Sequence, residues 1–143
     1  IPTFWFWPNV DAGSDGTSAG IRRYRELNRP DNIHFFKNME PNDFLKLLVN
    51  SKCLIGNSSV GIRECAFLAV PTVNIGTRQN RRQRASNVVD VNYDKDEIKK
   101  AIIERMHSDK IPSENIYGNG NSGKQIADVL AFVPLTFHKT IVY

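Results

Sequence analysis

Cysteine and histidine are scarce, two and three among 143 residues. Cys53 and Cys65 have neither CxxC spacing nor a neighbouring histidine, which speaks against a disulfide framework and a thiolate zinc site. They read as reduced core thiols of a cytosolic protein. His34, His107 and His138 fall on a predicted strand, a helix end and the tail. Structural or surface roles suit them better than catalysis, and no metal-binding set or cofactor motif forms around them. A long apolar run is also missing. The opening Ile1-Pro2-Thr3-Phe4-Trp5-Phe6-Trp7 is too short to span a bilayer and has no basic leader or small-residue cleavage site, so it reads as a buried strand. A chain that starts at a core strand without Met is expected to be cut from a longer protein. Internal repeats and low-complexity tracts are absent as well.

What is present is globular. Hydrophobic residues make up 41% and charged residues 24%, values that leave no room for wholesale disorder, and the length suits one ordinary domain with a real core. The net charge of +4 favours anionic partners; nucleotide, nucleic acid and acidic lipid all satisfy it. Arg78, Arg81, Arg82 and Arg84 crowd residues 76–86, as a solvated loop or as a phosphate-facing surface.

Short apolar runs alternate with helical periodicity. Strands are predicted at residues 3–7, 32–36, 53–55, 72–75 and 87–91. Helices are predicted at 17–27, with Ile21, Tyr24 and Leu27 at helical spacing, at 42–49, largely buried, and at 60–68, 95–106 and 124–132. The β-α-β-α succession with short connections predicts an α/β fold, a Rossmann-like parallel sheet flanked by helices. Ligands in such folds bind beyond the carboxyl ends of strands. Three polar loops lie at such ends: Asn9-Val10-Asp11-Ala12-Gly13-Ser14, Asn57-Ser58-Ser59 and Gly76-Thr77-Arg78-Gln79. They are expected to converge on one rim.

The richest stretch is Ile55-Gly56-Asn57-Ser58-Ser59-Val60-Gly61-Ile62-Arg63-Glu64. An apolar strand ends in glycine, Ser58 or Ser59 can cap the helix that begins near Val60, and the orphan amides of that helix suit a phosphate or diphosphate. Glu64, on the first or second turn, could accept hydrogen bonds from ribose hydroxyls. Simple capping accounts for Asn57 and Ser58 too; what favours anion binding is the placement at a strand's carboxyl end beside the arginine-bearing loop. Asp11 reads as a cap of the Ala12-Gly13 turn rather than as a site residue.

Four blocks in order, Pro8-Asn9-Val10-Asp11-Ala12-Gly13-Ser14, residues 55–64, Pro71-Thr72-Val73-Asn74-Ile75-Gly76-Thr77-Arg78-Gln79 and Ile116-Tyr117-Gly118-Asn119-Gly120-Asn121, resemble the C-terminal half of the UDP-N-acetylglucosamine 2-epimerases. They look closest to the hydrolysing branch that forms N-acetylmannosamine for sialic acid synthesis, because Asn57-Ser58-Ser59-Val60-Gly61 stands where non-hydrolysing enzymes typically read Asp-Ser-Gly-Gly. The resemblance implies the nucleotide-binding half of a GT-B two-lobed fold, with residues 1–132 as the UDP-binding domain and 133–143 as an arm packing on an N-terminal lobe. It assigns Ser58, Ser59 and Arg78 to the diphosphate, Glu64 to the ribose, Asn9 to the neighbourhood of the phosphates, and Met39 and Phe44 to the uracil. It further implies a UDP-sugar substrate, a homo-oligomer when full length, no cofactor, and acid/base carboxylates mainly on the other lobe, so that this chain alone is inactive. Between Asp15 and Asn32 the likeness is weak, and feedback binding of an activated sialic acid is not expected. Among other classes, a nucleic-acid module is disfavoured because no aromatics interleave with the arginines.

Overall fold

The computed structural model describes residues 1–10, 13–108 and 111–134. The chain divides into two compact units, Ile1–Leu47 and Leu48–Tyr143. Strand pairing is parallel throughout, as alternation of strand and helix predicts, but it forms two ladders, one of two strands and one of three.

The first unit holds β1 (Thr3–Phe6), α1 (Ser14–Asn28) and β2 (Ile33–Phe36). β1 and β2 pair in register from Thr3 with Ile33 to Phe6 with Phe36. Aromatic side chains tie the two strands together: Trp5 stacks on Phe35 at 5.8 Å and Phe6 on Phe36 at 5.6 Å. The N-terminal strand is only half covered, and Phe4 is exposed. α1 begins after Gly13, whose φ of +84° needs glycine, and buries Ile21. Tyr24 packs on Trp5, whereas Leu27 faces outward. The apolar spacing therefore carries on past the face that meets the ladder. α2 (Pro41–Val49) buries Leu48; Leu45 and Val49 are exposed, so this helix is less covered than its composition suggests.

The second unit is built on β3 (Leu54–Gly56), β4 (Thr72–Ile75) and β5 (Val88–Val91), ordered β3-β4-β5. Thr72 pairs with both Leu54 and Val88. As the central strand, β4 is rich in β-branched residues and almost wholly buried, Thr72 and Asn74 included, as a strand covered on both faces is. α5 (Lys95–Met106) starts at Asp94, whose carboxylate accepts from the amides of Asp96 and Glu97. Its Ala101, Ile98 and Ile102 join Val73, Val91, Ile75, Val89 and Cys53 in the core. Both thiols are free, Cys65 buried and Cys53 half-buried. α6 (Ser122–Phe132) buries none of its residues. Of the predicted C-terminal arm, all but Val133 and Pro134 lies outside the described residues. No helix among the described residues is long and apolar enough to cross a membrane.

The helix predicted at 60–68 is broken in two, α3 (Ser59–Ile62) and α4 (Glu64–Leu68). At the junction Arg63 has ψ −71°, yet its amide still donates to the Ser59 carbonyl at 3.0 Å. The distortion is local and carries no residue signature.

Candidate functional site

The turn after β3 follows from its residues one by one. Gly56 has φ +141°, a conformation other residues rarely adopt. It lets the chain leave the strand and present Asn57, Ser58 and Ser59 at the strand's carboxyl end. Ser58 is extended, and its Oγ accepts from the Val60 amide at 3.4 Å, which starts α3. Two positions on, Gly61 lets α3 lie directly on β4. A Cβ there would stand 2.6 Å from Thr72 Cγ2 and 3.3 Å from Leu54 Cδ2.

Behind this contact sits Asn87, fully buried. Its amide nitrogen donates to the carbonyls of Gly61 (3.0 Å) and Val70 (3.1 Å) and to Thr72 Oγ1 (3.3 Å). Three oxygens facing one group fix the orientation of that amide. One side chain thus joins α3, the turn before β4 and β4 itself.

The loop after β4 comes back to the same turn. Gly76 has φ +75°, and the Tyr93 ring occupies the space a Cβ would need. Arg78 Nη1 donates to the Asn57 carbonyl at 3.1 Å, and Gln79 Nε2 donates to the same oxygen at 2.7 Å. The loops 57–59 and 76–79 therefore meet, as their common place at strand ends predicts. Gln79 is only 2% exposed, and its Oε1 has no hydrogen-bond partner among the described residues.

Further along, Arg84 grips Asp90 on β5 with Nε at 3.0 Å from Oδ2 and Nη2 at 3.1 Å from Oδ1, while Asn74 of β4 donates to Asp90 at 2.6 Å. Burial works against the Asp90 charge. The hydrogen bonds from Arg84 and Asn74 and the guanidinium charge outweigh it, so its carboxyl lies below the usual range. Residues 113–117 brace the loop from outside: Glu114 accepts from the Ser86 amide and hydroxyl, and the Tyr117 hydroxyl donates to the Gln83 carbonyl at 2.7 Å. Those two Ser86 hydrogen bonds lower the Glu114 pKa. Of the four clustered arginines, Arg84 is a structural anchor and Arg78 faces the turn, while Arg81 and Arg82 are exposed.

Glu64 opens α4, half-buried, and its Oε2 is fully buried without a hydrogen-bond partner among the described residues. Ser58, Ser59, Glu64 and Arg78 thus belong to one unit, the serines and Arg78 on the two joined loops and Glu64 at the start of α4. Asn9, Met39 and Phe44 belong to the first unit. Asn9 is exposed beyond β1 and Met39 is half-buried ahead of α2. Phe44 meets Phe6 edge to face at 5.3 Å, a packing role that the sequence leaves unannounced. Asp11 lies outside the described residues. No group of three or more His, Cys, Asp or Glu among the described residues could hold a metal ion.

A model of the family described as UDP-N-acetylglucosamine 2-epimerase matches residues 2–131. The chain belongs to this family. Among curated relatives, the "UDP-N,N'-diacetylbacillosamine 2-epimerase (hydrolyzing)" of Legionella pneumophila is 35% identical over 90% of this chain and 33% of its own length. The UDP-N-acetylglucosamine 2-epimerase of Neisseria meningitidis serogroup B is 28% identical over 87% of this chain and 33% of its own. The structure of UDP-GlcNAc 2-epimerase from Methanocaldococcus jannaschii superposes with a TM-score of 0.62 at 19% identity, covering 87% of this chain and 35% of that one. That likeness establishes the fold. The epimerase-family chain described here spans about a third of the length of the curated relatives it matches. Sequence reasoning assigned the serines, Glu64 and Arg78 but gave no role to Gln79, Asn87 or the Arg84–Asp90–Asn74 network, which act on main-chain groups or on one another.

Proposed function

We propose that this chain forms the UDP-binding part of a hydrolysing UDP-sugar 2-epimerase, which converts UDP-N-acetylglucosamine and water to N-acetylmannosamine and UDP. The observation that supports it most is the joining of two strand-end loops at the Asn57 carbonyl, in a member of this family, with Ser58 and Ser59 on one loop and Arg78 on the other. Amides and hydroxyls of Ser58 and Ser59, with the Arg78 guanidinium, would hold the diphosphate; each charge-assisted bond contributes on the order of 1.5–3 kcal/mol. Ribose hydroxyls would donate to the half-buried Glu64 carboxylate at the start of α4. The family resemblance would put Asn9 near the phosphates and Met39 and Phe44 at the uracil.

Holding the diphosphate is also catalytic. In an anti elimination UDP leaves C1 as the C2 proton is removed, giving a 2-acetamidoglucal, and groups that stabilise the departing charge lower that barrier. Water then adds across the double bond to give the manno product. The proton chemistry belongs to carboxylates outside this chain, in the lobe against which residues 133–143 would pack. The complete protein is a cytoplasmic homo-oligomer in this view, without nucleic acid or membrane as partner, and serves sialic acid or related polysaccharide synthesis.

A second reading, a modified UDP-sugar as substrate, is favoured by the Legionella relative, which is named for UDP-N,N'-diacetylbacillosamine. NMR product analysis of the complete epimerase with each sugar decides between them. Free N-acetylmannosamine and UDP support the first, and a retained nucleotide sugar rules out hydrolysis. With this chain alone, saturable UDP binding weakened by Glu64→Ala and Arg78→Ala, and no turnover, is the expected result. Salt-dependent oligonucleotide binding that UDP does not affect would overturn the assignment.

A further inference from the structure

Gln79 is the most deeply buried polar side chain of the two joined loops, and it sits at a disadvantage for folding. Its Nε2 reaches the Asn57 carbonyl at 2.7 Å, but its Oε1 is buried with no partner among the described residues. An unpaired buried acceptor destabilises a fold. The Asn57 carbonyl does not need Gln79 to be satisfied, because Arg78 already donates to it at 3.1 Å. An apolar side chain of similar volume would fill the same space without stranding an oxygen.

What the second donor adds is direction. A peptide bond is planar and trans, so the Asn57 carbonyl and the Ser58 amide point in opposite directions within one plane. Fixing the carbonyl with two donors fixes the amide. The Gln79 side chain is short, buried and held at its own main chain, where the Arg82 amide donates to the Gln79 carbonyl at 3.3 Å and the Asn80 amide to Thr77 at 3.0 Å. Arg78 reaches the carbonyl from an exposed, longer side chain at 3.1 Å, and the buried Gln79 gives it the shorter bond.

We propose that Gln79 is a positioning residue for the nucleotide, acting through the Asn57 carbonyl to aim the Ser58 amide and the serine turn; this rests on the UDP-binding role given above. The test uses the chain with UDP as the probe, followed by amide shifts in NMR titration, beside urea unfolding of each variant. Gln79→Met is expected to keep or raise the unfolding midpoint while weakening UDP binding about tenfold, the factor that corresponds to one lost hydrogen bond's worth of alignment. Gln79→Glu keeps the shape but donates only when protonated. Its affinity relative to the parent should therefore recover as pH falls from about 7.5 to about 4.5, toward the ordinary glutamate range.

If the parent itself gives no UDP-dependent shifts, the nucleotide assignment fails and the positioning role falls with it. If the parent binds and both variants bind equally well, the positioning role alone is overturned. It is likewise overturned if binding falls only in proportion to stability and the Gln79→Glu ratio stays flat with pH, since that describes a merely structural glutamine.

Discussion

Replacing Gly61 by alanine sets two effects of known sign against each other. In a helix alanine is favoured over glycine by about 1 kcal/mol. Against that, the new Cβ would lie 2.6 Å from Thr72 Cγ2, whereas carbon atoms pack at roughly 3.5–4.0 Å. α3 would have to recede by roughly 1 Å from β4, or Thr72 would have to turn. Turning is blocked, because Thr72 Oγ1 donates to the Val70 carbonyl at 3.3 Å and accepts from Asn87, and a β-branched side chain has few alternative rotamers. Receding stretches the 3.0 Å bond from Asn87 to the Gly61 carbonyl. Overpacking of this kind costs about 1–3 kcal/mol, so the net expectation is a loss of up to about 2 kcal/mol after the helix gain.

The assay is urea unfolding, with the midpoint falling at unchanged slope. Thr72→Ser removes the clashing methyl and alone costs about 1 kcal/mol. In the double variant the new Cβ takes the vacated space, so the two losses should not add; a coupling of at least about 1 kcal/mol is expected. A Gly61→Ala protein more stable than the parent, or strictly additive losses, would refute the close contact between α3 and β4. The serine turn is carried on α3, so the same retreat should weaken UDP binding in the single variant and spare it in the double.

Two other outcomes are expected. Asp90 has a carboxyl pKa lowered in the fold, so its contribution is present above the unfolded value of about 3.9 and is lost as pH falls through the lower folded value. Asp90→Asn should flatten the acid limb of a plot of Tm against pH; parallel curves for variant and parent would count against the Arg84–Asp90–Asn74 network. Burial pushes the Cys65 thiol up to about 12 and the Cys53 thiol up to about 11. Thiolate is then at most roughly one part in a thousand at pH 8, so a disulfide reagent should label neither until urea unfolds the chain. Rapid labelling of Cys65 in the native protein would show that its site opens.

The strand and helix pattern was legible where periodicity and capping agree. Residues 72–75 and 95–106 carry a strand rich in β-branched residues and an amphipathic helix behind Asp94, and β4 and α5 have those bounds. Periodicity says less about coverage. Leu27, Leu45 and Val49 continue apolar patterns yet are exposed, because spacing marks a face without saying what meets it. The break at Arg63 was unreadable for a related reason: it is a change in backbone torsion that keeps a hydrogen bond, and no residue preference records it.

The candidate site shows the same division more sharply. Side chains whose own chemistry carries the reading, Ser58 as a cap and, in the proposed site, Glu64 as an acceptor and Arg78 as a cation, announce themselves by residue type and place. Asn57 was read for its side chain, but the structure uses its carbonyl, which every residue possesses. Gln79 lies 22 positions away from that carbonyl, and a donor whose target is main chain leaves no complementary residue to find. Its one chemical trace is negative: an amide in a fully buried place, where folding alone favours a hydrocarbon. Such misfits between residue type and surroundings are expected where a site, rather than the core, sets the choice. They become visible only once the fold shows how deeply the residue is buried.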